Sequence, residues 1–437
     1  MISKFKDFIK ISFVQDVGIL EIGKFFSVFL GAISSIILAR LLQPELYGIY
    51  GLIFAFVGLV GIFMNWGGTF ASLTLLSGVY AKKDKQEVKN ILIYFIKVTL
   101  LAICIIGVLS IVLAPLLTDL IYNNSRIGSW ARIVLLASFL TIIYSLLVIV
   151  LQSTRKIKEL TILEVFNKFI YIFFPIIFVL LGFGLSGIVW GHFISAFIFL
   201  VLSIFLYSFL IKKDKLLPSL SQIFLNFKEI KFRKYFKFSF LIAIDKNLSN
   251  FISILPIVFL GIFASMQDVA YFKIALSYAL IPSMLLNPIS RILVVQFPKS
   301  KSYNLLILKK HFYKTALYSG FISIILTIPF VLFAPYLIKL FYGVEYILGI
   351  QLVYYISILT AFSGFGIGLG SFYRTINKMK TAITINICYI TLMILSILVF
   401  VKIYDPLMVI ILSMVVCFIV FLLLHFYIIG KFFKKEL

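Results

Sequence analysis

Charge is scarce in this chain of 437 residues and lopsided where it occurs: 13% of residues are charged, with 40 Lys or Arg against 16 Asp or Glu. Soluble globular domains carry about a quarter charged residues, so that class is excluded. Cysteine is nearly absent. Cys104, Cys388 and Cys417 all fall inside apolar stretches, which leaves neither a disulfide framework nor a CxxC metal or redox site. His192, His311 and His425 are isolated from one another, and no HExxH, GxSxG or Walker-type signature occurs. Packed or interfacial imidazoles are expected, and no metal, cofactor or catalytic apparatus. The run GFGIGLG at 364–370 has GxG spacing but no preceding strand, so close helix packing or a hinge is expected there rather than a phosphate loop. The N-terminus, MISKFKDFIKISF, lacks a small-residue cleavage site. Phe5, Phe8, Ile9 and Phe13 follow helical spacing, which predicts an uncleaved interfacial helix.

What is present is apolar: 62% of residues are hydrophobic and 48 are Phe. Runs of about 20 apolar residues, enough to cross some 30 Å of hydrocarbon as helix, recur along the whole chain. Twelve are predicted, near 17–39, 47–70, 89–113, 131–151, 161–182, 186–210, 238–262, 270–295, 314–335, 346–371, 381–401 and 406–429. The fold class is therefore an all-α polytopic membrane protein. The excess of base lies in short tracts between spans, not on a foldable soluble domain, which argues against nucleic acid as a partner. With the N-terminus inside, 29 of the 40 Lys and Arg fall in cytoplasmic segments and about six in outer loops, so both termini are expected in the cytoplasm. The longest segment between spans, 211–237, mixes Lys with Phe, Ile and Leu and suits a helix on the cytoplasmic surface.

The chain also repeats itself. LAPLLTDLIY at 113–122 matches FAPYLIKLFY at 333–342, and RKIK at 155–158 matches NKMK at 377–380, shifts of about 220 residues. This predicts two six-helix lobes, 1–210 and 238–437, joined by the basic linker 211–237 and inserted in the same orientation around a central cavity. A shift of 222 lays IGKFFSVF (22–29) over IDKNLSNF (244–251), so that Lys24 falls on Lys246. Charges at that depth cost a few kcal/mol, which makes Lys24, Lys246, Asp245 and Asn247 candidates for a wet cavity. Two cations on facing walls invite an anion. The alternative is that each lysine snorkels to the interface. Glu21 can pair with Lys24 at i,i+3, and Glu164 with Lys168 at i,i+4, as a structural ion pair. Asp245 next to Lys246 is a candidate coupling group, protonated as its surroundings dry.

The segment IILARLLQPELYGIYGLIFAF (36–56), an apolar helix, a short Pro-Glu turn and a Tyr-Gly-Ile-Tyr helix start, resembles the first hairpin of bacterial polysaccharide-biosynthesis flippases. These are the O-antigen and capsule transporters of the multidrug/oligosaccharidyl-lipid/polysaccharide (MOP) superfamily. SMQDVAYFKIALSYA (265–279) resembles the corresponding turn of their C-terminal lobe. The resemblance implies a MATE-like two-lobed fold in the bacterial inner membrane, carrying undecaprenyl-pyrophosphate-linked oligosaccharide from the inner to the outer leaflet by alternating access. It further implies membrane lipids and polymerase machinery as partners and a proton or sodium ion for coupling. Basic cavity residues of the family bind the anionic headgroup; the matching positions here are Lys24 and Lys246. The family's cavity arginines have few counterparts in this chain, which leaves the headgroup to lysines, point charges rather than bidentate forks. A multidrug or cation antiporter of the same superfamily should present an excess of acids, and a membrane-embedded polymerase a sizeable outer loop.

Overall fold

The computed structural model describes residues 12–227 and 233–436, without the side chains of Ser12, Phe13, Val14, Val17, Asp245, Asn287, Arg291 and Val295. The expected N-terminal interfacial helix and part of the linker lie outside the described residues. Among the described residues every regular element is a helix. Eight are long and apolar enough to cross a membrane. Two bent pairs, Ser125–Leu140 with Ile142–Ser153 and Met266–Ala279 with Ile281–Tyr303, bring the number to ten. Two of the segments, Gly18–Met64 with 47 residues and Ile157–Lys213 with 57, are each as long as two crossings. Both are interrupted, the first at Gln43 (φ 61°) before Pro44, the second at Gly182 and Gly184, which also adopt positive φ. Pro44 follows the break because a proline at the first turn of the resumed helix forfeits no hydrogen bond.

Contacts group the chain into two compact units. The first comprises Met1–Leu42 and Ile53–Phe251, the second Gln43–Leu52 and Ile252–Leu437. In the first unit the chain forms α1 (Ser12–Met64, in part), α2 (Gly68–Ala81), α3 (Lys85–Ala102), a π-helical turn (Ile103–Gly107), α4 (Val108–Tyr122), α5 (Ser125–Leu140), α6 (Ile142–Ser153), α7 (Ile157–Phe178), α8 (Gly184–Lys213) and the short α9 (Leu220–Leu225). The unit closes with most of α10 (Arg233–Phe263). Its core joins Tyr94, Phe95, Phe199 and Tyr207 to Leu217, Ile223 and Tyr235 of the linker region. The linker is thus docked. Tyr80 donates to Asp214 at 2.6 Å, Tyr207 donates to the Pro218 carbonyl at 2.9 Å, and Lys234 bridges to Glu87 at 2.7 Å. The second unit continues with α11 (Met266–Ala279), α12 (Ile281–Met284), α13 (Asn287–Tyr303), α14 (Leu305–Tyr342), α15 (Leu348–Ser363), α16 (Leu369–Thr375), α17 (Met379–Phe400) and α18 (Pro406–Glu436). It packs Phe297, Phe312, Phe372 and Phe433 together and ties helices through buried hydroxyls. Ser319 donates to Gly364 O, Ser323 to Thr360 O and Thr360 to Ala279 O, each at 2.7 Å. The Gly364 backbone therefore lies against α14, the close packing expected of the glycine run.

The repeat is written in the backbone. Asn123 and Gly343, one residue past the matched decapeptides, both end a helix at positive φ (50° and 105°), and Arg155 and Asn377, which open the matched tetrapeptides, sit at 56° and 58°. Inside the decapeptides the same positions are buried in each unit: Ala114 and Ala334, Thr118 and Ile338, Tyr122 and Tyr342.

The three imidazoles are packed or bonded. His192 lies against the Phe54 and Tyr171 rings, while His311 Nδ1 meets Ser300 Oγ at 2.7 Å and His425 Nδ1 meets the Tyr373 hydroxyl at 2.9 Å.

Candidate functional site

Four of the predicted site residues ride on two helices that touch. A Cβ at Gly23 of α1 would lie 2.2 Å from Thr161 Cγ2 and 3.5 Å from Val165, and one at Gly31 would lie 3.5 Å from Cε and 3.7 Å from Nζ of Lys168. Contacts that advance together along both chains mean that α1 and α7 run parallel. Positions seven apart share a helix face, so Lys24 and Gly31 point the same way. Lys168 meets this seam from α7, and Lys24 lies on the Gly31 side of α1. Lys24, Glu164 and Lys168 are exposed and Glu21 is half-buried. Lys168 lies against Gly31 of α1. Gly31 leaves room for the Lys168 stem to lean across α1, and among the described residues neither the Lys24 nor the Lys168 ammonium has a carboxylate partner.

A second group forms around α10. The predicted span 47–70 is interrupted: α1 ends at Met64, residues 65–67 break the helix, and α2 resumes at Gly68. Asn247 splints the break. Its Nδ2 donates to the carbonyls of Ile62 and Asn65, both at 2.9 Å, and its Oδ1 accepts from Asn65 Nδ2 at 2.9 Å. Asn65 Oδ1 in turn accepts from the Gly67 amide at 3.1 Å. Gly67 adopts φ 78°, and a Cβ there would sit 2.0 Å from the Ser239 carbonyl oxygen of α10, so glycine is required by both conformation and space. Tyr94 of α3 completes the group by donating to Ser239 Oγ at 2.7 Å. Broken membrane helices need their freed backbone groups re-satisfied by side chains, and this is what Asn247 does. Lys246, the next residue, is half-buried with Nζ 5.5 Å from the centroid of the Phe70 ring on α2. Lys24 and Lys246 both belong to the first unit. The Asp245 side chain lies outside the described residues.

The second unit holds a cation that charge counting left among the outer basic residues. Lys273 of α11 places Nζ 3.6 Å from the centroid of the Tyr50 ring and 4.5 Å from that of Tyr47. Among the described residues it has no carboxylate partner. The seam is tight because Gly48 meets α11 backbone to backbone: a Cβ at Gly48 would fall 1.7 Å from the Met266 carbonyl oxygen. Gly51 faces the Lys273 stem in the same way, with Cδ at 3.4 Å. The signal was present in the sequence. Tyr47 and Tyr50, like Gly48 and Gly51, are three apart and share a helix face, and the 222-residue shift lays Gly51 on Lys273.

Among the described residues no group of His, Cys, Asp and Glu is arranged to hold a metal ion. The described helices thus include eight to ten long and apolar enough to cross a membrane, with lysines set against aromatic rings and a helix seam. Comparisons agree on the fold. The chain is similar to an inward-facing multidrug resistance MATE family transporter of the MOP superfamily, with 16% identity, 94% of this chain and 96% of the other covered, and a TM-score of 0.74. It is similar to the lipid II flippase MurJ in an inward closed conformation (17% identity, 94% and 87% covered, TM-score 0.71). It is also similar to a MOP superfamily transporter from Pyrococcus furiosus described by the reversed polarity of its binding pocket (16% identity, 95% of each covered, TM-score 0.63). Among curated proteins no sequence matches. Residues 37–351, most of the chain, match the family of polysaccharide biosynthesis proteins, and the chain belongs to that family.

Proposed function

We propose that this protein is a flippase that moves undecaprenyl-pyrophosphate-linked oligosaccharide repeat units, precursors of O-antigen, capsule or a related polysaccharide, from the inner to the outer leaflet of the bacterial inner membrane. The observation that supports it most is the family match over 37–351, in a chain where Lys246 and Lys273 are set against aromatic rings. With Gly18–Met64 and Ile157–Lys213 each crossing twice, the ten spans become twelve. Both termini are then cytoplasmic, and the moving bodies are the six-helix lobes 1–210 and 238–437. Lys24 and Lys246 bind the pyrophosphate, Glu21, Glu164 and Lys168 tune the field along the α1–α7 seam, and a proton or sodium ion, with Asp245 as its site, drives the return. A cation antiporter of the same fold would require acids in excess, and a membrane-embedded polymerase a large outer loop.

Flipping of a lipid-linked oligosaccharide in reconstituted vesicles, by wild type, Lys24→Gln, Lys246→Gln and the double variant at matched abundance, tests the reading. Each charge-assisted contact contributes about 1.5–3 kcal/mol, so each single variant should lose roughly ten- to a hundredfold in apparent affinity and Arg replacements should retain part of it. Full activity in the double variant refutes the headgroup site, and no flipping by wild type refutes the function.

A further inference from the structure

Three neighbouring helices of the first unit lose their regularity beside one cavity. The break at 65–67, the π-helical turn Ile103–Gly107 and the 40° bend at Thr141 between α5 and α6 all border a space of about 240 Å³. Its polar wall consists of Asn65, Thr69, Thr99, Ser138, Thr141 and Ser145, and Trp66 and Phe95 supply aromatic surface. Interrupted helices and π-bulges in membrane transporters gather at binding sites, because a regular helix there would be cheaper.

The hydrogen-bond directions define the occupant. Thr99 donates to Phe95 O (2.8 Å), Ser138 to Val134 O (3.0 Å), Thr141 to Ser138 O (2.7 Å) and Ser145 to Thr141 O (3.0 Å). Each hydroxyl proton is committed to its own chain, so four oxygens have only lone pairs left to offer. Asn65 donates one Nδ2 proton to Asn247 and keeps a second, its Oδ1 accepts from Gly67, Thr69 keeps its hydroxyl proton, and Trp66 Nε1 donates to Phe63 O at 3.0 Å. A wall that is uncharged and mostly acceptors offers nothing to balance an anion's charge. With no carboxylate in the wall, it cannot neutralise a cation either. What it satisfies is a neutral molecule with several O–H donors and an apolar face to lie on an indole. At roughly 30 Å³ per water the space equals about eight waters, room for one sugar ring and not for a chain.

We propose that this cavity is a monosaccharide subsite, separate from the lysines, that takes one neutral sugar residue of the cargo. The assignment rests on the flippase reading for its source of sugar. It also gives the Asn65–Asn247 splint a second role: Asn65 is both a wall of the cavity and a partner of the residue next to Lys246, so sugar and headgroup are sensed through one helix break.

Trp66 is one of three tryptophans, so replacing Trp130 and Trp190 by Phe leaves it as the sole reporter. The full-length protein in nanodiscs is titrated with glucose, galactose and N-acetylglucosamine to about 0.1 M, well above a millimolar dissociation constant. A saturable change in Trp66 emission with at least one sugar is expected. Thr141→Val and Ser145→Ala should each raise the midpoint about three- to tenfold, the net worth of one hydrogen bond. Thr74→Val, which removes a hydroxyl bonded within α2 away from the cavity, should leave it unchanged. An unsaturated, linear response to all three sugars, or cavity variants that match Thr74→Val, means that the cavity holds only water and overturns the proposal. The flippase reading is judged separately. Wild-type flipping without a saturable response removes only the subsite, whereas a saturable response without flipping removes only the flippase.

Discussion

Replacing Asn247 by Asp separates a residue that holds the helix break together from one that meets cargo. The change preserves size and leaves Oδ1 available to Asn65, but it removes both Nδ2 protons, which now satisfy the carbonyls of Ile62 and Asn65 at 2.9 Å. Those two acceptors lose their donor and face a carboxylate oxygen instead. Side-chain hydrogen bonds between membrane helices average about 0.6 kcal/mol and reach about 1.7, so the two lost bonds amount to roughly 1–3 kcal/mol. The new oxygen–oxygen repulsion adds to that. Asn247→Ala removes all three bonds without the repulsion and should be the milder change. Thermal unfolding in detergent, followed by near-ultraviolet circular dichroism, should show midpoints in the order wild type, Ala, Asp, with a drop of several degrees for Asp. Transport should fall in proportion to the folded fraction. If Asn247→Asp melts with the wild type yet abolishes flipping, the side chain acts on the cargo and the splint interpretation is wrong.

Two further outcomes follow from the charge distribution and from the second unit. Cysteines placed at Lys83, Lys213 and Lys301 should be shielded from an impermeant thiol reagent in intact cells while those at Asn123 and Tyr404 react; labelling of the first group from outside would overturn the orientation. Lys273→Met, Tyr50→Leu and the double variant should show a coupling of about 1–2 kcal/mol in thermal unfolding, the worth of a largely desolvated cation–π contact, and strictly additive effects would mean the ring and the ammonium do not interact.

Elements whose cause is local were legible in the sequence. Apolar length marked candidate spans, and the matched segments 113–122 with 333–342 and 155–158 with 377–380 marked the repeat, at whose edges Asn123, Gly343, Arg155 and Asn377 all adopt positive φ. The break at 65–67 was hidden inside a predicted span. Trp66, Gly67 and Gly68 count as apolar, so a hydropathy run passes through them although Asn-Trp-Gly-Gly is a helix-breaking signal. Asn247 was picked out as polar and intramembrane, but its task depends on a partner 182 residues away. The setting of Lys273 is hidden in the sequence for a similar reason: a backbone contact between Gly48 and Met266 brings a tyrosine pair over its ammonium. The approach of Lys168 to Gly31 is likewise a contact between helices that i,i+4 spacing within α7 does not encode.

The partners chosen for these cations bear on what the membrane interior attracts. A carboxylate beside a lysine stabilises the charge and cancels it. An aromatic face or a peptide carbonyl stabilises the charge and leaves it in place, since neither carries a net charge of its own. Lys246 rests over Phe70, Lys273 over Tyr47 and Tyr50, and Lys97 donates to the Phe227 carbonyl at 3.1 Å. Among the described residues Lys246 and Lys273 are thus half-buried ammonium groups held by rings rather than by carboxylates, and in a low-dielectric interior each keeps a field that reaches well beyond its contacts. A cationic solute would be repelled by such a field and an anion drawn in. A lysine held by a ring can also exchange that neutral partner for a phosphate oxygen without leaving an unpaired acid behind, so the anion's gain is not offset by a broken ion pair.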